Sequence, residues 1–200
     1  MTAAMVEPGR ESGGRTWEYL LQSWRELDVP EGWRAEIDRG QIHLVPPPHR
    51  HHNGIAARVQ RALYGVLPPH WEIYQTLGIH IAALDKLYMP DLVVVSSEVV
   101  EEVEAEVSDP VDAAEALLVV EITSKGNAED DRKKKLWAHA RAPVPVYLLI
   151  DRFDAHGPTA TLFTEPQNGA YRHADRVAFG DELVLPKPFG LKLDTRHFPH

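Results

Sequence analysis

Glu121 lies inside one of the most apolar stretches of the chain, Leu117-Leu118-Val119-Val120-Glu121-Ile122. A carboxylate among aliphatic side chains is costly to bury unless it is paired or binds a cation. The stretch is far shorter than the roughly 18 apolar residues that a membrane span needs, so it reads as a strand. Asp91 to Val95, directly after Pro90, and Val146 to Ile150 have the same character. Short, almost unbroken apolar runs suit a sheet covered on both faces.

The covering elements are also visible. Trp17, Leu20, Leu21, Trp24 and Leu27 recur at helical spacing and predict a helix over Thr16 to Leu27, with Thr16 as N-cap. Trp33 to Ile37 and Gln41 to Val45 flank Asp38-Arg39-Gly40 and predict a hairpin. Ile55, Val59, Leu63 and Val66 predict a second helix within His49 to Leu67, stopped by Pro68-Pro69. Strands follow at Trp71 to Gln75 and Gly78 to Ala82. A third helix spans Asn127 to Ala140, with Asn127 as N-cap and Glu129 and Asp130 in the first turn. Thr159 to Phe163, Ala170 to His173 and Leu183 to Leu185 read as short strands. Strands on either side of helices predict an α/β fold, a central mixed sheet flanked by helices. The 200 residues fit one domain over 16–200, behind a disordered lead-in over 1–15 that lacks the apolar core of a secretion signal.

The net charge of −9 is concentrated in one place. Residues 98–115 carry eight acids and no Lys or Arg, leaving 22 acids against 21 bases elsewhere. That segment reads as a loop or a poorly packed helix. Its acidity argues against an unselective grip on phosphates over the whole surface but leaves room for a nucleic-acid site elsewhere. The absence of cysteine excludes disulfides, thiolate zinc sites and a cysteine nucleophile. It fits a reducing compartment, and a cytoplasmic location without membrane attachment is expected. His49, His51 and His52 are dense, but neighbours at a helix start point in different directions, so no zinc site is expected.

Asp91 and Glu121, on neighbouring apolar strands, are placed to converge. Converging carboxylates repel unless a divalent cation or a lysine stands between them. The following helix offers that lysine: Asp131, Lys135 and His139 are spaced four apart and share a face. Regular helical geometry puts Lys134 toward solvent and Lys133 beside a buried stripe marked by Leu136. Arg132 to Lys135, taken alone, is a solvated helix face.

The joint pattern resembles the Uma2 family, a branch of the PD-(D/E)XK nuclease superfamily of restriction-endonuclease-like proteins, over about residues 33–195. The family's Pro-Asp strand reads here Met89-Pro90-Asp91-Leu92-Val93-Val94-Val95, and its Glu-x-x-Ser strand end reads Glu121-Ile122-Thr123-Ser124. Its Asp-x-x-x-Lys-x-x-x-Tyr helix is matched by Asp131, Lys135 and His139. Its strand entry is matched by Ala142-Pro143-Val144-Pro145-Val146-Tyr147. Glu36 and Gly40 fit the family's Glu-x-x-x-Gly hairpin, and Pro47 with His52 fits its Pro-x-x-x-x-His helix start. The chain departs from the pattern at Lys125-Gly126, at His139 in place of tyrosine, and at Pro143 in place of glycine. Thr123 stands where the superfamily motif has its lysine, a role that Lys135 takes over.

The resemblance implies a restriction-endonuclease-like core and Mg²⁺-dependent hydrolysis of phosphodiester bonds in DNA, with Mn²⁺ as a substitute. Asp91 and Glu121 would hold the metal, with the Ile122 carbonyl as a further ligand. Lys135 would orient the attacking water or neutralise the transition state. Glu36, His52, Asp131 and His139 would be accessory, Glu36 and His52 at the margin of the site. Cutting both strands of a duplex favours paired sites and hence a homodimer, although no residue marks its interface. The competing expectation is a catalytically silent PD-(D/E)XK-like module that binds nucleic acid or protein.

Overall fold

The computed structural model describes residues 16–101 and 109–199; the lead-in expected over 1–15 and the centre of the acidic segment lie outside them. Thr16 caps α1 (Trp17–Arg25), accepting the Tyr19 N–H at 3.4 Å. β1 (Arg34–Asp38) and β2 (Gln41–Val45) form the expected hairpin. Arg39 and Gly40 both take positive φ, the turn whose twist suits paired strands. α2 (Arg50–Tyr64) and β3 (Trp71–Tyr74) follow. β4 (Ile79–Ile81) is answered by β5 (Lys86–Tyr88), which the sequence did not reveal. β6 (Leu92–Ser96), α3 (Ser97–Val100), β7 (Val111–Asp112) and β8 (Leu118–Ile122) come next. The third expected helix is regular only at its end: a π-helical turn, Asp130–Lys135, runs into α4 (Leu136–Arg141). β9 (Val146–Asp151), β10 (Thr159–Gln167), β11 (Ala170–Ala178), β12 (Glu182–Val184) and β13 (Lys192–Asp194) complete the chain.

Six strands form the central sheet in the order β11-β10-β9-β8-β6-β3. It is mixed, as expected, because β8 and β9 run parallel while its other neighbours are antiparallel. Successive strand residues point to opposite faces. Leu92, Val94, Leu118, Val120 and Ile122 therefore pack with Ile55, Val59 and Leu63 of α2. Val93, Val95, Val119, Tyr147 and Leu149 pack on the other side with Ala138 and Ala142. Each fully buried aliphatic side chain contributes about 1.5–3 kcal/mol. Two such clusters on one sheet give β8 the support to carry a buried carboxylate.

The second face is covered by more than a helix. Ile79, Ile81 and Tyr88 of a second, five-stranded sheet, ordered β2-β1-β5-β4-β7, join that cluster. The N-terminal hairpin belongs to this sheet, with α1 packed over it through Leu20, Ile37 and Leu87. The acidic segment is also more ordered at its described ends than a loop. Ser97–Val100 is helical, and Val111–Asp112 pairs in parallel with β4. Among the described residues, no helix is long and apolar enough to cross a membrane.

β10 and β11 are longer than the sequence suggested because Asn168 and Gly169, at φ 54° and 82°, close them as a tight hairpin. A Cβ on Gly169 would lie 2.6 Å from Arg141 Cδ and 3.1 Å from Trp137 Nε1. Gly169→Ala is expected to cost about 1–3 kcal/mol, from the left-handed backbone and the displaced arginine. Chemical denaturation measures it; an unchanged midpoint would show that the turn relaxes freely.

Candidate active site

Lys135 is the hub of a buried polar cluster. Its ammonium donates to Glu36 Oε1 at 2.9 Å and to Glu121 Oε1 at 3.1 Å, and lies 3.8 Å from Asp131 Oδ1. Glu36 comes from β1, Glu121 from β8, and Asp131 from the same helix as the lysine. The wide turn matters here. π-helical segments bond i to i+5 and often occur at functional sites. This one buries Asp131 and Lys135 together, and His139 is buried in α4 one turn further on. The angle expected for Lys133 is corrected: its side chain is 74 % exposed and pairs with Glu129, while Leu136 is only partly buried. Lys134 pairs with Asp130 at the surface.

Asp91 forms a second node just before β6. The antiparallel pairing of β6 with β8 reaches Leu92↔Val120, so Asp91 and Glu121 each lie one residue beyond the same paired end. Asp91 Oδ2 accepts the Ile122 N–H at 2.8 Å and faces His52 Nε2 at 2.9 Å; Oδ1 accepts from Arg34 at 3.0 Å. The Met89 N–H donates to Glu36 Oε1, which ties the Pro-Asp segment to the lysine hub. The structure thus gathers Glu36, His52, Asp91, Glu121, Asp131, Lys135 and His139 into one region.

Electrostatically, the two central acids diverge. Burial alone would raise Asp91, but the hydrogen bond and charge of His52, then Arg34 and the Ile122 N–H, hold it below the usual carboxylate range. Burial pushes Glu121 well above that range; Lys135 opposes the shift, while Asp131, Asp91 and Glu36 add to it. Burial likewise raises Asp131 to about 7. Lys135 is disfavoured by burial, yet Glu121, Glu36 and Asp131 hold its charge firmly. His139 is pushed down to about 3 by burial and by Lys135, so it is neutral. Neither its ring nitrogens nor the Asp131 carboxylate oxygens have a hydrogen-bond partner among the described residues.

Several contributors escaped the sequence reading. Arg34 sits two residues before Glu36, on the same face of β1, and that period was the available signal. Arg132 is no solvated residue: it clamps Asp151 at the end of β9 through Nε at 2.6 Å and Nη2 at 2.9 Å. Thr123 donates to the same carboxylate at 3.1 Å, fixing the chain just after Glu121. Asn127 does not cap the first turn with its side chain. Its Oδ1 accepts from the Ser124 N–H and hydroxyl, bracing the loop behind Glu121.

Asp91 and Glu121 offer oxygen donors only, the hard ligands that Mg²⁺ takes. Four carboxylates share the region with two permanent cations, Arg34 and Lys135. That excess of carboxyl groups over cations fits a divalent ion; burial, with Asp131, Asp91 and Glu36 nearby, is what raises Glu121. Among the described residues, no group of three or more His, Asp or Glu side chains is already arranged around a metal-sized point.

The family Uma2, described as "Putative restriction endonuclease", matches residues 17–196. A crystal structure titled as "a putative nuclease belonging to DUF820 from Anabaena variabilis ATCC 29413" is similar to this fold, with a TM-score of 0.67. It is 18 % identical, and the match covers 90 % of this chain and 96 % of that one. No match to the chain is found among curated proteins.

Asp131 supplies a pH test. Its ordinary value of 3.8 is raised to about 7 by burial. Between those values the folded chain keeps a proton that the unfolded chain has lost, so stability falls as pH rises through the window. Asp131→Asn removes this loss, of up to a few kcal/mol. Thermal melts should show little difference from wild type at pH 4 and a stabilised variant at pH 8. A variant equally destabilised at both pH values would mean that Asp131 is ionised and bound to Lys135.

Proposed function

The chain belongs to the Uma2 family, and from that premise we propose that it is a Mg²⁺-dependent endonuclease cutting phosphodiester bonds in DNA. The observation that carries this reading is the excess of buried carboxylates over cations where β6, β8 and β1 meet the π turn. Asp91 and Glu121 would hold the ion, which would supply an activated water and charge stabilisation on the phosphate. Arg34 and His52 fix the orientation of Asp91, and Thr123 and Asn127 fix the chain that follows Glu121. Lys135 turns its ammonium from Glu121 and Glu36 toward the attacking water or the phosphoryl oxygens, as charge develops there.

A second reading has its own support. Every central acid except Asp131 already has a hydrogen-bonding cationic partner within the chain, with His52 and Arg34 on Asp91 and Lys135 on Glu36 and Glu121. Acids already paired within the chain suit a silent binding module. Metal titration separates the two readings. Mg²⁺ or Mn²⁺ should stabilise the fold by mass action, by about 2.7 kcal/mol at a hundred times the dissociation constant, and so raise the melting temperature. Asp91→Asn should remove most of that shift. An equal shift in wild type and variant would place the ion elsewhere, and none in wild type favours the module.

Cleavage at saturating Mg²⁺ gives a further prediction. Lys135→Ala should abolish it and, by stranding buried carboxylates, cost about 3–5 kcal/mol of stability. Lys134→Ala loses only a surface pair worth about 0–1 kcal/mol and should keep most activity. Activity in a folded Lys135→Ala protein would remove the lysine from the mechanism.

A further inference from the structure

Trp137 is 44 % exposed, two residues beyond Lys135 on the outer side of α4. It walls a groove of about 250 Å³ together with Leu136, Phe163 and Tyr171, and Lys133 and Arg172 stand on the rim. The groove is supported from below. Gly169 in the β10–β11 turn packs so closely against Arg141 and Trp137 that no Cβ fits without moving Arg141. Lys86 reaches the same side chain, its ammonium 5.7 Å from the centroid of the indole ring.

Side-chain contacts link the wall of the groove to the acid cluster. Lys86 Nζ donates to the Tyr88 hydroxyl at 3.2 Å, and Lys135 Nζ lies 5.3 Å from the Tyr88 ring. Tyr88 thus separates an aromatic, cation-rimmed groove from the carboxylates. Three acids pair with basic side chains around it: Glu129 with Lys133, Glu165 with His173 and Asp38 with Lys86. The first two pairs are exposed, the kind that contributes little and exchanges partners readily.

We propose that this groove is a subsite for an unpaired stretch of nucleic-acid strand, one base stacked on Trp137 and its flanking phosphates met by Lys133 and Arg172. The proposal rests on the nuclease reading and adds to it a strand preference near the site. A half-exposed indole between cations matches alternating flat bases and anionic phosphates. A base within a duplex is already stacked on both faces and would have to unstack to use the indole. Stacking of this kind is tolerant of sequence, so the subsite selects for strandedness over base identity.

The experiment is fluorescence anisotropy with a labelled oligothymidylate and with a duplex of equal length, in EDTA, so that binding is read without cleavage. Wild type should bind the single strand more tightly than the duplex. Trp137→Ala should weaken single-strand binding about 5- to 150-fold, the effect of one stacked base, and leave duplex binding unchanged. Trp137→Phe should retain most of the affinity, and Lys133→Ala/Arg172→Ala should flatten the salt dependence. If Trp137→Ala melts early, the phenylalanine and double variants carry the test. Single-strand binding unaffected by these changes, or no single-strand binding by wild type, overturns the subsite. Duplex cleavage by wild type in Mg²⁺, measured in parallel, decides the nuclease reading separately.

Discussion

One ammonium joins parts of the molecule that arrive from three directions. Lys135 rises from the π turn, Glu36 from the five-stranded sheet and Glu121 from the six-stranded sheet, and they meet within hydrogen-bond distance. Taking such ions out of water costs several kcal/mol each, and attraction between them repays this only when geometry is good and the remaining polar atoms are satisfied. Apolar groups of the same volume are often as stable. Stability alone therefore does not account for the cluster. What it does impose is position: the second sheet must dock where Glu36 can reach the lysine, and the helix must present the lysine inward.

That constraint explains the division of labour between the two central acids. Asp91 and Glu121 are cross-strand neighbours, yet their partners differ in kind. Asp91 has two side chains able to carry positive charge and a backbone N–H of its own, so it stays ionised. Glu121 shares Lys135 with Glu36 and Asp131, so its negative charge is under-compensated. Adjacent carboxyls pushed in opposite directions are the pattern by which one site holds both an anion and a proton-accepting group near neutrality. The asymmetry arises from which strand each acid sits on, and in turn from the antiparallel pairing of β6 with β8.

The sequence made much of this legible where the signal was local and strong. The apolar runs around Asp91 and Glu121 predicted neighbouring strands, and the spacing of Asp131, Lys135 and His139 predicted a shared face, which the structure buries. Glu36 and His52 were legible only through the family resemblance; by themselves they are a polar strand residue and one of three clustered histidines. The second sheet stayed hidden although the β1–β2 hairpin and a strand over β4 were legible, because β5 has three residues and β7 two, too few for a period to show. Arg132 was misread because a run of four cations looks solvated, and its partner Asp151 lies 19 residues away. The π turn leaves no mark in composition, so a regular-helix calculation marked a buried stripe at Leu136, which is only partly buried, and set beside it Lys133, which is exposed.

The same helix carries two chemistries on opposite sides. In a regular helix, residues two apart point about 200° from one another, so a lysine committed inward at 135 turns position 137 outward. An outward tryptophan has little to gain in water, and here it is flanked by Lys86 and backed by the Gly169 turn. Tyr88 touches both sides: its ring faces Lys135 and its hydroxyl receives Lys86. A charge change at the carboxylates therefore alters the field at Lys135 and, across one aromatic ring, at the cation beside the indole. The acid cluster and the aromatic groove are held at fixed separation by one helix and one tyrosine, so a strand bound in the groove lies at a set distance from the carboxylates.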